Sequence, residues 1–332
     1  MNIAILGTGA WGTALAISLA SKHQIHLWGR NPEQMAQMAA SRSNQRYLPG
    51  FALPPSVQIH TDLATALKTA ELVLSVVPTA GLRDTLQAVA ATGSRIPLVW
   101  ASKGFEAGTA NLPHQVAAEV FKEDILCGVL SGPSFAQEVA AGLPTALTLA
   151  SSDVAFAQAI AGKLHAPRMR IYHSDDMVGV EVGGAVKNVM AIAAGICDGL
   201  KLGHSGRAAL ITRGLAEINR LGTALGGKPE TFTGLTGLGD LILTCTGDLS
   251  RNRTVGLKLA QGESLKKILR DLGHTAEGVS TAREVVRMAD SLAVEMPISR
   301  SVCRVLYEGL PAKDAAEELL SREPRSENSR KK

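Results

Sequence analysis

At 332 residues the chain is long enough for two domains with a substantial core, and its formal net charge of +4 with only 4% aromatic residues argues against a nucleic-acid binder while suiting a small anionic substrate. No apolar run reaches the roughly eighteen residues of a membrane span, and the first residues have neither a basic n-region nor a long h-region, so no membrane insertion and no signal peptide are predicted. Four scattered cysteines (Cys127, Cys197, Cys245, Cys303) and eight histidines without metal-ligand spacing predict neither disulfides nor a metal site, which together suggests a cytoplasmic, metal-free protein.

The chain opens on a strand, Asn2-Ile3-Ala4-Ile5-Leu6, that runs into Gly7-Thr8-Gly9-Ala10-Trp11-Gly12. Ala14, Leu15, Ile17, Leu19 and Ala20 continue at helical spacing. Strand, glycine turn and helix in that order predict a dinucleotide pyrophosphate site. Gly7 permits the turn, Gly9 lets the backbone approach the diphosphate, and Gly12 lets helix and strand pack closely. The unpaired N–H groups and positive end of the helix favour the anion.

The second strand, Gln24–Gly29, ends at Arg30, eighteen residues after Gly12. An NAD-selective site places a carboxylate there for the ribose 2′-hydroxyl, but the first one here is Glu33, past Pro32. A guanidinium suits a 2′-phosphate, which predicts use of NADPH, with NADH also accepted. Arg30 can equally be read as a solvated surface residue.

Alternation of apolar strands with helical segments predicts a parallel sheet covered on both faces. The candidate strands are 2–6, 24–29, 57–60, 72–77, 96–101, 126–131, 145–150 and 168–173, joined by linkers such as Leu48-Pro49-Gly50, Leu53-Pro54-Pro55 and Gly142-Leu143-Pro144. Three strands end in polar loops, at Ser75–Thr79, Ala101–Gly104 and Ser131–Ser134. Ligands bind beyond the carboxyl ends of such strands, so the three loops should face one cleft.

Strands stop after about residue 178. Val182–Leu225 reads as long apolar helices broken near Gly199–Gly206, followed by helices near 251–261, 264–272, 278–292 and 298–309. The expected fold is α/β, with an N-terminal Rossmann-type doubly wound, mostly parallel sheet over 1–180 and an all-helical substrate domain over 181–320. The polar, Pro-containing segment 321–332 is expected to be a disordered tail.

Within the first long helix, Lys187 is the sole charged residue between Glu181 and Asp198, and Gly183-Gly184 lies just before it. Burial would lower its pKa and suit it to general acid/base work beside a nicotinamide. A lysine snorkelling from a helix end fits the same pattern. Asp240, after the glycine-rich run Gly234–Gly239, reads either as a helix N-cap or as a carboxylate that orients a lysine or accepts from a substrate hydroxyl. Ser250 reads as an N-cap, which would place Arg251 and Asn252 at a positive helix end suited to phosphate.

With these residues the chain resembles the NAD(P)-dependent glycerol-3-phosphate dehydrogenases of the bacterial biosynthetic type. The resemblance runs through Gly7–Ala16, Trp100–Gly104, Ser131–Ala136, Gly184–Val189, Thr212–Glu217, Gly237–Leu241, Ser250–Arg253 and Ala276–Gly278. It implies reversible reduction of dihydroxyacetone phosphate to sn-glycerol 3-phosphate for phospholipid synthesis, and a homodimer. It also implies Lys187 as the proton donor and acceptor at the C2 oxygen, and Lys103 beside substrate and nicotinamide. Gly132 and Ser134 are implied to touch substrate, and Asp240, Ser250, Arg251 and Asn252 to line the polyol phosphate pocket. On the cofactor side it implies Ala10, Trp11, Arg30, Asn31, Tyr47, Lys103, Ala136, Arg251, Thr275 and Glu277. Ala10 stands where many relatives have Ser, and His204-Ser205 where relatives often carry an Asn-containing pair. The alternatives are reduction of another small ketone or β-hydroxyacid, disfavoured by the Ser250-Arg251-Asn252 run, and a non-catalytic NADP-binding sensor, disfavoured by the lysine–aspartate set.

Overall fold

The structure, a computed structural model, describes residues 1–122, 125–166, 168–273 and 276–323. Its first half contains the strands β1 (Asn2–Leu6), β2 (Gln24–Trp28), β3 (Ser43–Asn44), β4 (Leu48–Ala52), β5 (Val57–His60), β6 (Leu72–Ser75), β7 (Leu98–Trp100), β8 (Cys127–Ser131), β9 (Thr145–Ala150) and β10 (Met169–Ser174). Between them run the helices α1 (Ala10–Leu19), α2 (Pro32–Ser41), α3 (Leu63–Leu67), α4 (Leu82–Ala91), α5 (Pro113–Phe121), α6 (Ala136–Ala140) and α7 (Val154–Leu164). Among the described residues an eight-stranded sheet has the order β10-β9-β8-β7-β6-β1-β2-β5. Neighbours pair in parallel except β8 with β9, so β9 and β10 run against the rest. This is the mostly parallel, Rossmann-type sheet that the alternating pattern predicts.

β1 shows why its sequence is apolar throughout. Ile3 and Ile5 join one core cluster, whereas Ala4 and Leu6 join the cluster on the opposite face. A strand covered on both faces has no position for a polar residue. The β3–β4 hairpin is an addition to the predicted strands. Its Pro49-Gly50 reads as a linker in sequence, yet Leu48 is fully buried beside Ala14 and Val139.

The second half is built around α8 (Met177–Gly199). Asp176 caps its start by accepting from Gly179 N at 2.8 Å, and the same carboxylate accepts from Lys228 N and Thr231 Oγ1. Every residue of α8 from Gly179 to Cys197 is buried. The helix is long and apolar enough to cross a membrane by length and composition, but this stretch lies wholly inside the protein; a helix apolar all round is the core of its neighbours. Around it stand α9 (Gly203–Ala224), α10 (Pro229–Phe232), α11 (Asp240–Thr246), α12 (Arg251–Ala260), α13 (Leu265–Leu272), α14 (Glu277–Ser291), α15 (Pro297–Tyr307) and α16 (Ala312–Leu320). Ser250 caps α12 and Ser264 caps α13 through their hydroxyls. Of the expected tail, residues 324–332 lie outside the described residues.

Glycines set how closely α8 meets its neighbours. A Cβ on Gly195 would collide with the Arg253 carbonyl, and one on Gly256 would collide with that of Ile192. α8 and α12 therefore cross backbone against backbone, and that crossing delivers the start of α12 to the middle of α8. Neither carbonyl can yield as a flexible side chain would. Gly195→Ala should cost about 1–3 kcal/mol in denaturant unfolding through overpacking. An unchanged midpoint would mean the two helices stand farther apart.

Candidate active site

Three charged side chains from three segments converge. Lys187 Nζ, on α8, donates to Asp240 Oδ1 at 2.5 Å and to Thr244 Oγ1 at 2.8 Å. Lys103 Nζ, from the loop after β7, donates to Asp240 Oδ2 at 2.7 Å and to the Gly132 carbonyl at 3.1 Å. The Asp240 carboxylate thus bridges two ammonium groups, and its side chain is 1% exposed. Asp240 is not the N-cap that the sequence also allowed. Gly239 holds that position, and Asp240 is the first residue of α11, directly after a π-helical turn at Leu235–Gly239.

The glycines near Lys187 make this convergence possible. A Cβ on Gly183 would lie 2.7 Å from the Thr236 carbonyl, so α8 rests on the π-turn that delivers Asp240. Gly184 faces Ser131 Oγ and the stem of Lys103 instead. Burial pulls the Lys187 ammonium down from its ordinary pKa to about 8; the Asp240 charge opposes that shift and the Lys103 charge adds to it. Ser134 Oγ donates to the same Gly132 carbonyl at 3.3 Å, so the loops ending β7 and β8 meet here.

The start of α12 adjoins this cluster through amides. Asn252 donates to Asn188 Oδ1 at 2.9 Å and accepts from Gly278 N at 3.0 Å, which ties together α12, α8 and α14. Its Oδ1 and one amide hydrogen are thereby used. The Ser250 hydroxyl accepts from Arg253 N, as predicted for a cap. Arg251 is exposed and makes no hydrogen bond or ion pair to the described residues. Arg253 is committed to Asp198 and Asp248. Glu277, first in α14, accepts from Thr79 N at 3.3 Å; burial raises its pKa while the Arg251 charge lowers it. The hydroxyls of Ser75, Thr79 and Ser131, at the ends of β6 and β8, are buried without a hydrogen-bond partner.

The glycine turn joins β1 to α1. Gly7 has φ +118°, and a Cβ there would lie 2.7 Å from the Val76 carbonyl. A Cβ on Gly12 would strike the Gly7 carbonyl, so the helix presses directly on the turn. Gly9 is different: nothing lies within 4 Å of its Cβ position. α1 begins at Gly9 with no side-chain cap and no acidic residue in its first turn. An open cradle of uncapped N–H groups fits a diphosphate.

The chain was compared with known proteins. Residues 2–157 match the model for the NAD-dependent glycerol-3-phosphate dehydrogenase N-terminus, and residues 176–317 match the C-terminal one. The chain belongs to the NAD-dependent glycerol-3-phosphate dehydrogenase family. It is 60% identical to the glycerol-3-phosphate dehydrogenase [NAD(P)+] of Nitrosospira multiformis, over 98% of this chain and 99% of that one. Identity to the Thiobacillus denitrificans protein of the same description is 61%, over 98% and 100%. The crystal structure of glycerol-3-phosphate dehydrogenase from Coxiella burnetii superimposes with a TM-score of 0.93 at 43% identity, covering 97% of this chain and 99% of that one.

In this family member the structure brings Lys103, Gly132, Ser134, Lys187 and Asp240 into one cluster, with Asn252 joined through Asn188. Ala10, Trp11 and Ala136 share an apolar cluster at the start of α1. Arg30 is exposed just after β2, and Asn31 caps α2 by accepting from Gln34 N. Tyr47 sits in the β3–β4 turn under the Arg46 guanidinium. Thr275 lies outside the described residues. His204 stands exposed with Nδ1 3.2 Å from Arg207, whose guanidinium pairs with Asp198. Two residues of the cluster escaped the sequence reading. Thr244 is four residues after Asp240 on one helix, a spacing that places both on one face, and Asn188 is the immediate neighbour of Lys187.

Gly9→Ala separates folding from binding. The added methyl meets nothing in the free protein, so Tm should stay as in wild type, whereas affinity for NADP(H) should fall by about tenfold or more in a fluorescence titration. Unchanged affinity would put the diphosphate elsewhere.

Proposed function

We propose that this chain is an NAD(P)H-dependent sn-glycerol-3-phosphate dehydrogenase, reducing dihydroxyacetone phosphate reversibly and supplying glycerophospholipid synthesis in the cytoplasm. The observation that carries this reading is the Asp240 carboxylate shared by Lys187 and Lys103. The division of labour follows the two halves, with cofactor on residues 1–180 and substrate on 181–320, in a homodimer. The reduced nicotinamide supplies hydride to C2 when bound. Gly7, Gly9, Ala10, Trp11 and Gly12 hold its diphosphate, Arg30 and Asn31 the adenosine end with Tyr47 nearby, and Ala136, Thr275 and Glu277 complete the cofactor side.

Arg251 is the exposed cation at the α12 N-terminus, so it and the helix end at Ser250 receive the substrate phosphate. Asn252 offers its remaining amide hydrogen. This docks the three-carbon chain along Gly132 and Ser134 with its carbonyl oxygen at the lysines. As C2 is reduced, its oxygen gains negative charge and takes a proton from the Lys187 ammonium. Lys103 steadies that oxygen, and Asp240 keeps both ammonium groups oriented. In the reverse direction neutral Lys187 takes the hydroxyl proton. A pKa near 8 lets one amine do both near neutral pH.

The test is a fall in NADPH absorbance on adding dihydroxyacetone phosphate; activity on a non-phosphorylated keto acid alone would reverse the choice of substrate. Lys187→Ala should lower kcat by about 10²–10⁴ with cofactor affinity little changed. Near-normal turnover would remove Lys187 from the chemistry. The pH dependence has opposite signs in the two directions. Reduction needs the ammonium, so kcat/KM should fall as pH rises through about 8, whereas that for oxidation should rise across the same range. Arg30→Asp should lower the NADPH-to-NADH ratio of kcat/KM in paired measurements, through loss of the guanidinium–phosphate pair. An unchanged ratio would show that Arg30 faces only water.

A further inference from the structure

Outside the lysine cluster the structure holds another buried carboxylate, and no step proposed above uses it. Glu181 lies on α8, six residues before Lys187, with a side-chain exposure of 0%. Oε1 accepts from Trp100 Nε1 at 2.8 Å and from His114 N at 3.0 Å. His114 Nδ1 lies 2.6 Å from Oε2. Trp100 ends β7, three residues before Lys103, and His114 is in the first turn of α5. One side chain of the helical half thus holds two elements of the sheet half.

The position along α8 matters. Val180 belongs to the core cluster on one face of the sheet, together with Trp100 and Val116, whereas Val182 belongs to the core of the helical half. Glu181 sits where the helix passes from one core to the other. At about 1.5 Å of rise per residue, Lys187 follows some 9 Å farther along the same rigid rod. Asp240 reaches Lys187 through Oδ1 and Lys103 through Oδ2 at once, so the offset between α8 and the end of β7 has little latitude.

We propose that Glu181 is a positioning residue: by pinning α8 to Trp100 and His114 it sets the offset at which Lys187 and Lys103 meet on one Asp240 carboxylate. It touches neither substrate nor cofactor. The inference rests on the reading of the two lysines as the reacting pair. A buried carboxylate that accepts from two N–H groups of another segment resists sliding, because any shift leaves donors and acceptor unpaired away from water. Burial raises the pKa of Glu181, with His114 opposing; the Cys127 thiol on β8 is raised by its own burial and by the Glu181 charge. Lys187 in turn faces Asp240, Thr244, Lys103, Glu277 and Cys245.

The experiment compares Glu181→Ala, Glu181→Gln and His114→Ala in the full-length chain with two readouts. One is the pH dependence of Lys187 and Lys103 acetylation by trace acetic anhydride, measured by mass spectrometry on cofactor-free protein. The other is kcat and KM for dihydroxyacetone phosphate with NADPH. In Glu181→Ala, kcat should fall about tenfold or more through misplacement, with KM for NADPH little changed. Lys187 labelling should move to higher pH, toward an ordinary lysine, as water reaches the loosened seam. Glu181→Gln should restore both, because its carbonyl keeps the two N–H donors and its amide can face Nδ1. His114→Ala keeps the backbone donor and removes a partly exposed side chain, so it folds even if Glu181→Ala does not. It should shift both readouts the same way with kcat down about threefold, the scale of one hydrogen bond. A lower Tm with wild-type labelling curves and kcat, in either alanine variant, would overturn the proposal. If wild type fails to turn over dihydroxyacetone phosphate, the functional reading falls, while the labelling curves still decide the role of Glu181.

Discussion

A single carboxylate between two ammonium groups is the constraint around which the molecule is organised. Asp240 and Lys187 come from the helical half and Lys103 from the sheet half, so the bridge exists only while the two are docked. Three charges withdrawn from water are costly unless their geometry and remaining hydrogen bonds are good. Here Thr244 and the Gly132 carbonyl accept the further ammonium hydrogens. The bridge leaves one excess positive charge. In the proposed reaction that excess would suit an oxygen that becomes negative; the Lys187 pKa of about 8 has a different cause, burial acting against the attraction of Asp240.

Placing a lysine so deep requires backbones to approach more closely than side chains allow. α8 solves this with glycine at three of its close approaches: Gly183 against Thr236, Gly184 against Ser131 and the Lys103 stem, Gly195 against Arg253. Gly278 on α14 reaches the Asn188 carbonyl in the same way. Glycine weakens a helix interior by about 1 kcal/mol relative to alanine, so several in one helix are a local cost. Tertiary packing offsets it, since every residue from Gly179 to Cys197 is buried. The same feature makes α8 read like a membrane span by composition alone.

The middle of the sheet was legible because β1, β6, β7 and β8 are apolar on both faces, and the long helices because their apolar runs exceed any strand. The β3–β4 hairpin was hidden for a local reason: Ser43–Asn44 is too short to show alternation, and Pro49-Gly50 mimics a linker. Its role emerges only in three dimensions, where Asn44 Nδ2 donates to the Thr8 carbonyl and Thr13 Oγ1, bracing the glycine turn. α16 lay past the last predicted helix. Lys187 left two readings open in sequence because a snorkelling and a buried lysine share one apolar context; its 7% exposure and its contact with Asp240 decide between them. Asp240 was ambiguous in the same way. A π-turn leaves no periodic trace, so nothing in the glycine run revealed that the carboxylate would start the helix rather than cap it.

The two arginines that flank Asn252 show how charge alone can assign different tasks within one short motif. Arg253 faces Asp198 and Asp248, and Arg207 completes the set on Asp198, so its charge is spent on fixing α12 to the end of α8. Arg251, two residues earlier, is exposed at the N-terminus of the same helix, next to the Ser250 cap. The first arrangement is rigid because each cation is matched by a carboxylate; Arg251 makes no ion pair among the described residues, although its charge acts on the buried Glu277 carboxyl. Asn252, between them, is buried and bonded to both α8 and α14, so the backbone at the start of α12 is fixed against both helices. In the proposed reading the phosphate would therefore sit at a helix start whose backbone Asn252 ties to α8, the helix that carries Lys187.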